Sequence, residues 1–421
     1  MVIKYKQDNG LSVLLEPVEG VVSVSVGLWL NKGSRDEKPD QYGYAHFVEH
    51  MLFKGTEKYS AGDIARRIDR VGGQHNAATN REYTCYYINV VSDHLELAME
   101  VLSDMYYNSL FDREELEKEK NVIIEEIRMY EDTPDEFIHD FFMEKMLQGH
   151  PLSHSILGSI ESIGKTSRES IMSFYSEHYI NDNAILAIAG NFNTEKTRDL
   201  VSGYFGKERN KIVTVQEKFN GEPVRTSREH LEKDLEQVHF CMGVEGIKRG
   251  DDDRWGLYIL STILGGSMSS RLFQNIREKE GISYSIYSFH SSYLDCGVFG
   301  IYCATLPEKF GLTVDLIMRE CRKMFYDGIT NEEFEDTKTY MKGNLALSLE
   351  SNEIRMSQLA RNEMTYGEYF SFIDIVQIID RITPDDYMRV CDKIFKNKTL
   401  SLVSVGKLKK KVNPDKFDLT I

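Results

Sequence analysis

Two histidines four residues apart, His46 and His50, with an acid, Glu49, beside the second, are the stretch of this chain richest in possible chemistry. On a helix, positions four apart stand one turn from each other on a common face, so both imidazoles can address one ion. Neutral imidazoles suit Zn²⁺ at about 2.0–2.1 Å, and a hydrolytic zinc needs a third protein ligand plus an open position for water. Glu49, three residues after His46, borders the same face and could take a proton from metal-bound water. The order is HxxEH, the reverse of the better-known HExxH. Taken alone, the pattern fits equally a pair of helix histidines with a carboxylate neighbour.

A third ligand would have to come from another element. A strongly charged helix is expected over Arg113 to Tyr130, with Glu115, Glu117, Glu119, Glu125 and Glu126. Glu119 and Glu126 are seven apart, close to two turns, so they share a face that Glu125 does not. Most of these acids read as a solvated face laced with Glu/Lys pairs such as Glu114 with Lys118.

The elements around these residues repeat. Val22 to Leu30 alternates as a half-buried strand, and Ser60 with Asp63 opens a helix in the manner of a capping box. Gly72-Gly73 breaks the chain before a polar-aromatic strand pattern from Asn76 to Val91. Leu95, Ala98, Met99, Leu102 and Tyr106 recur at helical spacing, and a strand from Ala184 to Ala189 ends at Gly190. The second half runs in the same order: strand at His239 to Val244, helix at Trp255 to Leu264, strands after Gly281 and at Val298 to Cys303. Two helices and a strand, Leu400 to Val405, complete it. A period of half the chain means duplicated domains rather than a solenoid. The pattern predicts an α+β fold with two homologous domains, each an antiparallel-dominated sheet with helices packed on one face. The expected boundaries are 1–208, a linker at 209–229, and 230–421.

With 421 residues, 41% of them hydrophobic, and a net charge of −16, the chain is globular and long enough for two or three cores. The excess of acid argues against a nucleic-acid binder and could favour basic peptides. The six cysteines are scattered without a CxxC pair, which fits reduced thiols in a cytoplasmic setting. No apolar run approaches the ~20 residues of a membrane helix, and the N-terminus shows no secretory pattern, so no membrane association is expected.

HxxEH, its flanks Gly43-Tyr44-Ala45 and Met51-Leu52-Phe53-Lys54-Gly55-Thr56, and Val122-Ile123-Ile124-Glu125-Glu126-Ile127 some 75 residues on together resemble one family. It is the inverted-zincin peptidases related to pitrilysin, insulin-degrading enzyme and the mitochondrial processing peptidase, in the half-length, two-domain branch. The resemblance implies one Zn²⁺ per chain held by His46, His50 and Glu126, with Glu49 as general base and Glu119 as an auxiliary catalytic acid. Gly72-Gly73-Gln74-His75-Asn76-Ala77-Ala78-Thr79 is similar to the family's edge strand, which implies that Asn76 and Ala77 meet an extended peptide. Arg277 and Tyr284, seven apart, match a pair that reaches the substrate carbonyl in family members. A guanidinium and a phenol are donors suited to an oxyanion. The second half has no HxxEH, its equivalent helix being apolar. The resemblance therefore implies a zinc metalloendopeptidase acting on peptides or unfolded segments within a closed homodimeric chamber, with Arg277 and Tyr284 serving the other subunit's zinc. The competing reading is a non-catalytic subunit of the same fold, in which metal motifs are degraded.

Overall fold

The structure, a computed structural model, describes residues 2–209, 219–409 and 413–421. In the first part of the chain β1 (Ile3–Lys6), β2 (Ser12–Pro17), β3 (Ser23–Leu30), β4 (Gln74–Thr79), β5 (Thr84–Val91) and β6 (Ala184–Gly190) form one sheet. A second sheet holds β7 (Arg228–Glu232), β8 (Val238–Glu245), β9 (Ser283–Ser292), β10 (Gly297–Thr305) and β11 (Ser401–Gly406). The first is ordered β1-β2-β6-β3-β5-β4 and the second β7-β11-β8-β10-β9. Without β1, the two orders are the same when strands are matched in chain order. Each sheet has one parallel pair, β2 with β6 and β7 with β11, and is otherwise antiparallel. The duplication legible in the sequence is thus a duplication of topology, and the α+β expectation stands. The stretch Asn76 to Val91 is two strands joined by a turn at 80–83.

Each sheet buries one face under several helices. In the first, Val24, Val26, Leu28 and Leu30 of β3 point into a core shared with α1 (Tyr44–Leu52), α2 (Ala61–Asp69) and α3 (Leu95–Asn108). α4 (Arg113–Glu131) contributes Leu116, Ile123 and Ile127 to the same core. The capping box expected at Ser60 and Asp63 is present at the start of α2.

The described residues divide into two compact units that are not continuous in sequence. One gathers 2–128, 154–209 and 347–369; the other gathers 129–153, 219–346, 370–409 and 413–421. The exchanged segments each supply a helix to the second face of a sheet. In the first unit, Met356, Leu359 and Ala360 of the helix Asn352–Tyr366 pack on Leu14, Trp29, Ile185 and Ala189. In the second, Ile138, Phe142 and Met146 of α5 (Pro134–Met146) pack on Cys241, Val298, Tyr302 and Val403. Residues 210–218 of the expected linker lie outside the described residues, and its last two, Arg228 and Glu229, belong to β7. Among the described residues, no helix is long and apolar enough to cross a membrane.

Candidate metal centre

Helix α1 is buried on most of its circumference by Tyr44, Ala45, Phe47, Val48, Met51 and Leu52, which leaves one side for His46, Glu49 and His50. Opposite lies α4, whose buried stripe reads Leu116, Glu119, Ile123, Ile127. An acid in that stripe needs a partner to be buried there. Glu119 has two: Nδ1 of His50 at 2.9 Å and the Lys54 ammonium at 2.7 Å. Two turns further along, Glu126 faces both imidazoles. Its carboxylate oxygens stand 3.8 Å from His46 Nε2 and 3.6 Å from His50 Nε2.

These separations test whether the three residues fit a metal ion. They are too long for hydrogen bonds. Ligand atoms on a tetrahedral zinc with bonds of 2.0–2.1 Å would stand roughly 3.3–3.4 Å apart. Three donor atoms that converge within 4.8 Å of one another without bonding to each other have the spacing of a shared ion. The protonation states agree. Burial pushes the His46 pKa down to about 3, with a smaller contribution from His50, so its imidazole is neutral. Burial also pushes the Glu119 carboxyl up, but its bonds to His50 and Lys54 outweigh this and hold it below the ordinary range. An ionised Glu119 accepts the Nδ1 proton of His50, which leaves the Nε2 lone pair directed at the site. The donor set of two nitrogens and a carboxylate fits zinc.

Glu49 accepts a hydrogen bond from the Thr79 hydroxyl at the end of β4. Burial pushes its carboxyl above the ordinary range, against the Thr79 bond and the nearby His50. A basic carboxylate beside a metal site suits proton transfer at near-neutral pH. Among the described residues β4 is the edge of its sheet, paired with β5 alone, and α1 packs beside it. Asn76 on it is exposed and Ala77 half-buried, and the Asn76 side chain accepts from the Ala77 amide. The unpaired side of this strand presents main-chain groups next to the helix that carries Glu49.

Arg277 and Tyr284 lie in the second unit and meet each other there. Arg277 sits in a π-helical turn, Phe273–Lys279, and Tyr284 at the start of β9. The guanidinium rests 4.6 Å from the Tyr284 ring centroid and 4.5 Å from that of Phe273, with Tyr284 78% exposed.

A second trio of potential ligands, His150, Asp295 and Cys296, also lies in the second unit. There Nδ1 of His150 accepts the Leu152 amide, so a neutral ring carries its proton on Nε2, 3.4 Å from Asp295. A protonated nitrogen is not a ligand, and the Asp295 carboxylate accepts the Phe219 amide. Four residues of the first site were not singled out from the sequence. Lys54 lies two residues beyond the end of α1, and nothing local marks it, Thr79, Glu37 or His154 as belonging to this site.

Comparisons with known proteins bear on the family and the fold. Residues 12–160 match the model for insulinase (peptidase family M16), and residues 165–341 match the model for the M16 peptidase inactive domain. The chain is 38% identical over 96% of its length to the Bacillus subtilis protein named uncharacterized zinc protease YmxG, covering 98% of that protein. Among solved structures, a protease from Helicobacter pylori superposes with a TM-score of 0.88 at 23% identity, over 97% of this chain and 99% of that one. A chain of complex III2 from Candida albicans superposes with a TM-score of 0.86 at 18% identity, over 99% of this chain and 98% of that one. Both of these likenesses are in fold.

Proposed function

We propose, from the premise that the chain belongs to peptidase family M16, that it is a zinc metalloendopeptidase acting on extended peptides or unfolded segments. The observation that carries this reading is the convergence of His46, His50 and Glu126 at non-bonding distances suited to one ion. Those three residues would hold the zinc. When bound, the ion would supply a Lewis acid for the scissile carbonyl and lower the pKa of a coordinated water.

The protein's own groups then have separate tasks. Glu49, held by the Thr79 hydroxyl, places a proton acceptor beside the ligands, where it can take a proton and return it to the leaving amine. Glu119 touches His50 rather than substrate and acts as a positioning residue that fixes the ring and its tautomer. The unpaired edge of β4, with Asn76 and Ala77, would bind substrate through main-chain hydrogen bonds, which tolerates varied side chains. Arg277 and Tyr284 present a guanidinium and a phenol together on a second unit whose helix Arg254–Gly265 carries no histidine or acid. This division of labour supports a composite, homodimeric site in which the pair serves the partner's zinc.

The likeness to a complex III2 chain keeps a non-catalytic reading in view. The presence of the three ligands with Glu49 beside them favours the enzyme. Glu49→Gln decides between the two. It should retain zinc while losing cleavage of a quenched fluorescent peptide, and full activity in that variant, or no chelator-sensitive cleavage in the wild type, would refute the hydrolase.

A further inference from the structure

The two histidine ligands are supported differently. His50 has its second ring nitrogen bonded to Glu119, but Nδ1 of His46 is buried with no hydrogen-bond partner among the described residues. Metal-bound histidines are ordinarily oriented through that second nitrogen. The placement of His46 must therefore come from the backbone of α1, whose first turn begins two residues earlier at Tyr44.

That first turn is capped from outside. The N-cap residue is Gly43, at φ +94°, and it makes no side-chain cap. A Cβ there would come within 2.7 Å of Ile163 and of the Leu157 carbonyl, so no capping side chain fits at this position. The orphan amides of the first turn are instead met by Glu37, six residues upstream. Its buried carboxylate accepts Gly43 N–H at 2.9 Å and Ala45 N–H at 2.7 Å. Ala45 immediately precedes His46. An acid here also complements the positive end of the helix dipole. Behind Glu37, His154 donates from Nε2 at 3.1 Å, and its ring is stacked on Tyr42 at 3.8 Å and 11°.

We infer that Glu37, braced by His154, is the positioning residue for His46, acting through the backbone of α1 as Glu119 acts on His50 through its ring. The inference rests on the zinc reading above. It assigns a role to a carboxylate and an imidazole that touch neither metal nor substrate.

Glu37→Gln tests it. An amide offers one acceptor oxygen where the carboxylate offers two, and its NH₂ would face a donor. Three readings are expected: faster hydrogen exchange at the Gly43 and Ala45 amides in the metal-free protein, zinc affinity lower by about tenfold in chelator competition, and an altered visible spectrum of the Co²⁺-substituted protein. kcat should fall with KM unchanged, because β4 is untouched. His154→Phe keeps the stack on Tyr42 but removes the Nε2 donor, and should move the same readings less far. A folded Glu37→Gln variant with wild-type zinc affinity, cobalt spectrum and amide exchange would overturn the inference. If that variant fails to fold, unchanged values in His154→Phe overturn it. A wild-type chain that takes up no zinc would refute the functional reading instead, and the metal-free amide exchange would still decide whether Glu37 pins the helix.

Discussion

Nδ1 of His50 lies 2.9 Å from a carboxylate oxygen of Glu119, and that carboxylate is buried in the apolar stripe of a different helix. The contact ties α1 to α4 at the point where the candidate ligands converge. Glu119 needs the histidine to be tolerable in that stripe, and the histidine needs Glu119 to present the correct nitrogen.

Removing this tie should weaken metal binding more than it weakens the fold. Glu119→Ala is expected to raise the zinc dissociation constant roughly 10–100-fold, with Glu119→Gln, which keeps an acceptor for Nδ1–H, falling between it and the wild type. Competition against a chromophoric chelator measures this. An unchanged constant would mean that Glu119 does not orient His50.

The helix Asn352–Tyr366 belongs to the late part of the chain yet covers the second face of the first sheet. Leu359 is 1% exposed there, so Leu359→Ala should cost about 2–5 kcal/mol in urea denaturation through lost burial and a cavity. Leu347→Ala, at a position 74% exposed, should cost no more than about 0.5 kcal/mol. Equal losses would contradict this packing.

In the second unit, Arg271 donates twice to Glu333, at 2.7 and 2.9 Å, and also to the Gly328 carbonyl. The Arg271 bonds, joined by Thr330 and opposed by partial burial, hold the Glu333 carboxyl below its ordinary range. A depressed folded-state pKa contributes stability that is fully present above the unfolded value, about 4.3, and is lost as pH falls through the folded value. Wild type should therefore exceed Glu333→Gln in stability at about pH 6, and the difference should shrink by about pH 3. A difference independent of pH would show that the pair contributes by packing alone.

How far the sequence revealed this arrangement depended on how local each signal was. The i,i+4 histidines and the two-turn spacing of Glu119 and Glu126 are properties of single helices, and both faces are where spacing puts them. The order of elements in the two halves was legible because alternation and helical spacing are local as well. What the spacing of Met356, Leu359 and Ala360 could not tell is which sheet they cover, since an apolar stripe specifies burial and not its partner. The turn at 80–83 was missed because residues on both sides of it keep a strand-like pattern. Glu37 and His154 escaped because their bond to each other, and that of Glu37 to α1, join positions with no shared period. The π-helical turn that carries Arg277 has no composition of its own.

The central claim is that two imidazoles and the carboxylate of Glu126 bind one zinc. X-ray absorption fine structure of the zinc-loaded protein, with metal content measured on the same sample, tests it most directly. One zinc per chain with two imidazole nitrogens and only oxygen besides, at about 2.0–2.1 Å, is the result expected. A zinc–sulfur distance near 2.3 Å, or the same spectrum and stoichiometry in a His46→Ala, His50→Ala double variant, would place the metal elsewhere and contradict it.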